Sequence, residues 1–368
     1  MAKYKLGDVC EIVSGSTPKT NIEEYWDGDI KWITPAEIND DTYIITDSIR
    51  KITDLGAKKT GLSLFPEGTV ILSSRAPIGK VAIAGCAMCC NQGFKNLICS
   101  DKILNKYLYW FLKGNTPYLN SLGRGATFRE ISKSIVAQIE INVPDIVYQK
   151  EVVDILEKIS EVITRRKREL SALDNLIKAR FVEMFGDPIK NTKGWEVVTI
   201  GDIVTEVRYG TSKPAVEGGK YPYIRMNNLT SDGHLDLKDL KYIDIPDNEI
   251  EKCVVRKGDV LFNRTNSIEL VGKTAVFDLP DDMVIGGYII RVRLNERILP
   301  EVLSQYMNLE ALKDILRSMA KGAVNQANIN AQELQDIKVY IPDMGVQTEF
   351  VEIVKQVDKS KVAVLKIF

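Results

Sequence analysis

DIVYQKEVVDILEKISEVITRRKRELSALDNLIKARFVEMFGD, residues 145–187, is the stretch around which the rest of the chain is organised. Pro144 stands just before it, and Gly186 with Pro188 closes it, a good helix stop. Val152, Leu156, Ile159, Ile163, Leu170, Leu173, Ile177 and Met184 recur in three-, four- and seven-residue steps, a heptad seam interrupted by Arg166 and Arg180. A helix of about 40 residues spans roughly 60 Å. Its apolar stripe, with charge on the other faces, needs a partner. Taken alone, the stripe also fits an ordinary long core helix. Its position points further, because similar sequence lies on either side.

The chain has 368 residues, which favours two domains over one. Its 45% hydrophobic content allows large cores, and its formal net charge of -1 gives no global nucleic-acid signature. DNA or RNA binding would have to come from local patches. No apolar run reaches membrane-spanning length and no signal peptide is evident, so the expectation is a soluble, cytoplasmic protein without a membrane partner.

Residues 1–144 and 195–342 repeat one another. Tyr4-Lys5-Leu6-Gly7-Asp8-Val9 is answered by Val198-Thr199-Ile200-Gly201-Asp202-Ile203. The polar turn Ser14-Gly15-Ser16-Thr17-Pro18-Lys19 is answered by Tyr209-Gly210-Thr211-Ser212-Lys213-Pro214. Ile30 to Ile33 matches Tyr221 to Arg225, and Gly68 to Leu72 matches Gly258 to Phe262. Ile78-Gly79-Lys80 matches Val271-Gly272-Lys273. Each copy then shows a helical segment (near 104–121 and 300–320), a Gly-Ala turn (Gly125-Ala126 and Gly322-Ala323) and an apolar strand running into Pro144 or Pro342. Helix periodicity returns after Pro342, with Phe350, Val354, Val357 and Val364 on the stripe. The order is domain 1–144, helix 145–189, domain 190–342, helix 343–368, a duplication whose period is far too long for a solenoid. Two copies imply a pseudo-two-fold, which would make the two helices antiparallel partners. Short β-branched runs broken by Gly, Pro, Asn and Asp give each copy an α+β fold around a mainly antiparallel sheet.

The chemistry that the chain lacks is informative. His234 is the single histidine, which excludes multi-histidine metal sites and most histidine triads. It follows Ser231-Asp232-Gly233 and reads as a turn residue. Gly272-Lys273-Thr274 lacks the glycine that a phosphate loop requires five residues earlier, where Ser267 stands. An adenine methyltransferase loop is also missing. Its nearest string is Asn142-Val143-Pro144-Asp145, which opposes a self-contained modification enzyme. Catalysis by this chain is not expected. Cys86, Cys89, Cys90 and Cys99 match zinc in number, but the second copy has no counterpart between Asp281 and Ile290. Small buried cysteines in strands, with no metal, is the reading.

Polar and cationic loop residues recur in both copies. The first has Ser16, Thr17, Lys19, Arg75, Lys80, Asn91, Gln92, Lys95, Arg124, Thr127, Arg129 and Lys133. The second has Arg208, Tyr209, Thr211, Lys213, Arg225, Asn227, Asn228, Asn263, Arg264, Thr265, Asn266, Lys273, Lys321, Asn325, Gln326 and Asn328. Arg, Asn and Gln read purine edges, whereas Lys, Ser and Thr suit phosphates. Any one such residue is more often simply solvated. The pairs Arg75/Arg264 and Lys80/Lys273, at like places in both copies, favour function.

The doubled architecture resembles the specificity subunit of type I restriction-modification systems. Each copy opens on a Leu/Ile-Gly-Asp segment, exits through Ile-x-Val/Ile-Pro and feeds a long helix. Tyr25-Trp26-Asp27-Gly28, Lys31-Trp32-Ile33 and the Pro-x-x-x-x-Gln pattern (Pro144 to Gln149, Pro342 to Gln347) fit as well. The resemblance covers essentially the whole chain. It implies two target recognition domains for a split site on double-stranded DNA and an antiparallel coiled-coil spacer. It further implies two methyltransferase subunits docked along the spacer, with two restriction subunits as optional members. S-adenosylmethionine and ATP would belong to those partners, and this chain would carry no cofactor. One departure is that Phe368 corresponds to Leu170, so the counterpart of Ser171 to Asp187 is missing, by nature or by truncation. The competing expectation is a duplicated protein-interaction scaffold without DNA specificity. The charge balance favours it mildly, with 17 basic and 15 acidic residues in 1–144 and 20 and 22 in 190–342.

Overall fold

The computed structural model describes residues 2–125, 129–323 and 326–366. Two compact units divide the chain, Met1–Thr164 and Arg165–Phe368. The division falls inside one continuous helix, Ile146–Phe185, rather than at its ends. Residues 146–164 of the helix belong to the first unit and 165–185 to the second.

In the first unit, strand Ala2–Lys5 pairs antiparallel with Glu140–Val143, so entry and exit lie side by side. A five-stranded sheet runs in the order Cys10–Ser14, Phe94–Cys99, Val70–Ser73, Val81–Ala84, Ile44–Ile45. It is antiparallel except for its last pair. A three-stranded sheet places Trp26–Ile33 between Arg50–Ile52 and Cys89–Cys90. Helices Asn105–Gly114 and Thr116–Ser121 pack on the larger sheet. Every residue of Val70–Ser73 is buried, which explains a continuous apolar run in place of strict alternation. Val70, Ile71 and Leu72 each contribute about 1.5–3 kcal/mol of burial.

The second unit repeats this plan. Glu196–Thr199 pairs with Lys338–Ile341, and Val204–Tyr209, Ile289–Leu294, Val260–Asn263 and Thr274–Val276 form the larger sheet. Lys241–Ile243, Tyr221–Ile224, Met283–Ile285 and Val254–Val255 form the smaller one. In place of one expected sheet per copy, the described residues form three sheets in the first unit and four in the second, of which two in each make the body of the domain. The expected Gly322-Ala323 turn is instead part of the strand Lys321–Ala323, which pairs with Gln326–Asn328. Ala126 lies outside the described residues.

The long helix starts where the sequence says, since the Asp145 carboxylate accepts from Tyr148 N at 2.9 Å as a cap. It ends at Gly186, whose φ of 87° suits the left-handed closing residue. The apolar stripe differs in detail from a heptad seam. Ile177, Phe181 and Phe185 are buried, whereas Ile159 and Ile163 are 50% and 37% exposed. Val152, Leu156, Leu170, Leu173 and Met184 are half-buried. An undistorted helix turns every 3.6 residues, so its buried face here follows i, i+4, i+8 and takes in two phenylalanines that the 3.5-residue count leaves out.

Within the second unit the C-terminal helix Met344–Leu365 packs on this face. Phe350 meets Phe181 and Phe185 edge-on with ring centroids 5.4 and 5.1 Å away, and Lys361 pairs with Asp174 at 2.5 Å. Contacts descend along one helix as they ascend along the other, so the two run antiparallel. Phe350, Val354 and Val357 are buried as their spacing requires, and Val364 is half-buried.

Candidate nucleic-acid interface

Backbone hydrogen bonds fix which residues of the two units are equivalent. Ser73 N donates to Lys80 O, as Asn263 N does to Lys273 O, both at 2.8 Å. Ser74 N donates to Gly93 O (2.7 Å), as Arg264 N does to Tyr288 O (2.9 Å). Ile131 N donates to Ser74 O and Ile329 N to Arg264 O, both at 2.9 Å. Arg264 thus stands where the first unit has Ser74, and Arg75 corresponds to Thr265. The expectation that the two arginines share a place is corrected by one residue.

The glycine turn is built alike in both units. A Cβ on Gly15 would lie 2.0 Å from Asn91 O, and one on Gly210 would lie 2.3 Å from Gly286 O. Backbone meets backbone there, and only glycine fits. Ser16 N donates to Cys90 O (3.0 Å) and Thr211 N to Ile285 O (2.9 Å). An aromatic side chain then holds the turn's carbonyl: Trp32 Nε1 donates to Ser16 O (2.9 Å), and the Tyr223 hydroxyl donates to Lys213 O (3.3 Å).

The side chains mounted on this scaffold differ. In the first unit Glu130 receives Arg75 Nε at 2.9 Å and Lys95 Nζ at 3.2 Å. Partial burial pushes the Glu130 carboxyl up, but the two cations hold it below the usual carboxylate range. Thr17 bonds Gln92, and Asn91 Oδ1 accepts from Gly93 N at 2.9 Å. Lys95 is buried beneath this cluster, so its expected place among the exposed contacts is corrected, whereas Arg124 is exposed beside Glu130 through their backbone pairing. Lys19, Arg129 and Lys133 are also exposed. In the second unit Thr265 Oγ1 bonds Asn328 Oδ1 at 2.8 Å, and Arg264 lies 4.9 Å over the Tyr209 ring. Arg208 pairs with Glu206, Lys213 with Glu249 and Arg225 with Asp239, and Asn227 is exposed. Exposed pairs of this kind contribute at most about 1 kcal/mol, so phosphates can compete for the cations.

Several expected contacts turn inward. Lys80 Nζ donates to Pro35 O at 2.9 Å, and Lys273 Nζ donates to Met226 O at 3.2 Å and Leu229 O at 2.5 Å. Both ammonium groups brace the turn that follows the first strand of the smaller sheet, and burial pushes the Lys273 amine down. Asn263 and Asn228 are buried, donating to Tyr288 O (3.1 Å) and Asp236 O (2.8 Å). Asn266 Nδ2 donates to Asn263 Oδ1 at 2.8 Å. These side chains organise loops instead of facing a groove. Thr127 and Asn325 lie outside the described residues, as do the side chains of Lys321 and Gln326. Sequence reasoning missed Glu130, whose partners Arg75 and Lys95 lie 55 and 35 residues away, and the turn-holding bonds of Trp32 and Tyr223.

The cysteines sit among backbone acceptors: Cys86 faces Thr46 O and Cys89 faces Lys31 O, both at 3.3 Å. Among the described residues no group of His, Cys, Asp and Glu is arranged to hold a metal ion. No described helix is long and apolar enough to cross a membrane. His234 does sit in a turn, but it also bridges Asp232 and Asp358 at 3.1 Å each. Hydrogen bonds to those two carboxylates push its pKa up to about 10, against the effect of burial.

The family model for the type I restriction modification DNA specificity domain matches twice, at residues 1–174 and 192–366. The chain belongs to that family. Among curated relatives it is 37% identical over 247 residues to the type I restriction enzyme MjaIX specificity subunit of Methanocaldococcus jannaschii, a match covering 61% of this chain and 57% of that protein. It is 23% identical over 321 residues to the EcoKI specificity subunit of Escherichia coli, covering 81% of this chain and 69% of that one. The fold is that of the type I restriction-modification S subunit from M. genitalium (TM-score 0.55, 16% identity, covering 99% of this chain and 91% of that one). A chain from a structural study of type I system assembly and conformational transition matches at TM-score 0.56 and 20% identity, covering 100% of this chain and 93% of that one.

Proposed function

We propose that this chain is the non-catalytic specificity subunit of a type I restriction-modification complex and reads a bipartite site on double-stranded DNA, one half with each domain. One observation carries the reading. The same backbone scaffold occurs twice, yet the side chains at equivalent positions differ: buried Ser74 stands against half-buried Arg264, and the exposed Arg75 paired with Glu130 stands against buried Thr265 bonded to Asn328. A duplicated fold that kept its function but changed its rim is suited to two different half-sites. Phosphate contacts would supply affinity and groove contacts sequence. The long helix would act as a coiled-coil spacer with pseudo-two-fold symmetry, along which two methyltransferase subunits dock and two restriction subunits join optionally. Those partners would bring S-adenosylmethionine and ATP.

Co-expression with the cognate methyltransferase, followed by methylation-aware sequencing of the host genome, tests this. A split motif with a fixed gap is expected. Methyltransferase binding with no sequence-specific methylation would instead make the chain a protein scaffold.

A further inference from the structure

We infer that Gln149 and Gln347 are positioning residues: each bolts the first turn of a long helix to its own domain, fixing the direction in which the helix leaves and hence the gap between half-sites. This rests on the bipartite reading above. Each glutamine is fully buried. Gln149 Nε2 donates to Pro144 O and Lys102 O, both at 2.9 Å, while its Oε1 accepts from Leu104 N at 2.8 Å. Gln347 repeats all three bonds, to Pro342 O (2.8 Å), to Arg297 O (3.0 Å) and from Leu299 N (2.9 Å). Both amide donors are used, and one side chain thereby joins three segments: the exit strand, the helix, and the loop leading into the domain's own helices.

The other polar ties between helix and domain are not shared. Among the described residues the first unit uses Tyr43 and Lys106 on Glu157, and the second uses His234 on Asp358 and Asp232 on Lys361. A tie kept identical while its neighbours differ points to a requirement common to both units. That requirement is angular. Each helix leaves its exit strand through a two-residue link, Pro144-Asp145 or Pro342-Asp343, which by itself would let the helix swing. A swing of about 5° carries the far end of the first helix, about 60 Å long, about 5 Å, and that of the shorter second helix, about 33 Å long, about 3 Å, against a base-pair rise of about 3.4 Å. An unclamped link would therefore blur the gap without touching any base contact.

The test uses the full chain with its methyltransferase and duplexes that keep both half-sites but vary the gap by single base pairs. The wild type is expected to prefer one gap. Gln149→Leu and Gln347→Leu should each lower that preference about tenfold or more, the scale on which ångström-level misplacement acts, while rejecting wrong bases in either half-site as before. Gln149→Glu, which keeps the acceptor for Leu104 N but loses both donations, should fall between. Unchanged gap preference in a folded Leu variant overturns the inference, as does base discrimination falling together with it. If the Leu variants do not fold, Gln149→Glu is judged by the same criteria. If none folds, the glutamines hold the core and the inference fails. Small-angle scattering of the free chain gives a separate arm: the variants should show a broader distribution of distances than the wild type. A wild type that selects no gap would contradict the bipartite reading, and scattering would still decide the clamp, with an unchanged profile overturning it.

Discussion

Asn96 and Arg291 occupy equivalent places, opposite Ile71 and Leu261 in the larger sheets, and both are fully buried. In the first unit the position takes a neutral amide that donates to Cys90 Sγ at 3.0 Å. In the second it takes a guanidinium that reaches Glu206 at 2.5 Å and the carbonyl of Val254. The same contrast recurs at the rim and in the ionic ties around the shared Gln149 and Gln347 clamps. Identical backbone bonds carry chemically different side chains, so the duplication preserved a frame and let its contents diverge. Charge is embedded more deeply in the second unit, which should therefore respond more to loss of single ionic partners and to pH.

The largest effect should come from Arg291→Ala, which leaves Glu206 beside its remaining cations and a hole in the sheet. Glu206 stays paired with Arg293 and Arg208, so the cost is that of the cavity and the lost hydrogen bonds, about 2–5 kcal/mol. Asn96→Ala should cost only about 1–3 kcal/mol, as for an ordinary buried hydrogen-bonding group. Urea unfolding followed by hydrogen exchange in each unit would measure both, and equal losses would break the contrast. Gly15→Ala and Gly210→Ala test the shared frame. Each adds a Cβ where backbone carbonyls already stand, so each should destabilise its own unit by about 1–3 kcal/mol. A neutral effect at either would show that the turn is free to move.

A smaller effect is expected from His234. Its folded pKa of about 10 lies above the ordinary value near 6.5, so its contribution is full below about pH 6.5 and is lost as pH rises through 10. The ring is 40% exposed, which limits the tie to about 1 kcal/mol. His234→Gln should lower the stability of the second unit at pH 6 by that amount and flatten its pH dependence between about 6.5 and 10. The first unit, which ties its helix through Tyr43 and Glu157, should not respond.

Much of the frame is legible in the sequence because its signals are local. The long helix ends at Phe185 before a positive-φ glycine, and the helical segments and exit strands fall where periodicity and proline put them. The rim is less legible because its register depends on distant partners. Arg75 and Arg264 align by residue type. Bonds to Ile131 and Ile329, more than fifty residues downstream, set them one place apart. Lys80 and Lys273 do share a place, but sequence cannot reveal that carbonyls of Pro35, Met226 and Leu229 await their ammonium groups. Phe181 and Phe185 were hidden by counting a 3.5-residue repeat over a helix that buries an i, i+4 face. His234 acquires its second carboxylate from Asp358, 124 positions away.

The division of labour between the two rims is tested most directly by methylome sequencing of strains that express Arg75→Ala or Arg264→Ala with the cognate methyltransferase. Arg75→Ala should relax or weaken only one half of the split motif and Arg264→Ala only the other, each by about 1–3 kcal/mol if its guanidinium reads a guanine edge. The gap should stay constant. A folded variant that alters both halves, or leaves both intact, would contradict the assignment of one half-site to each domain.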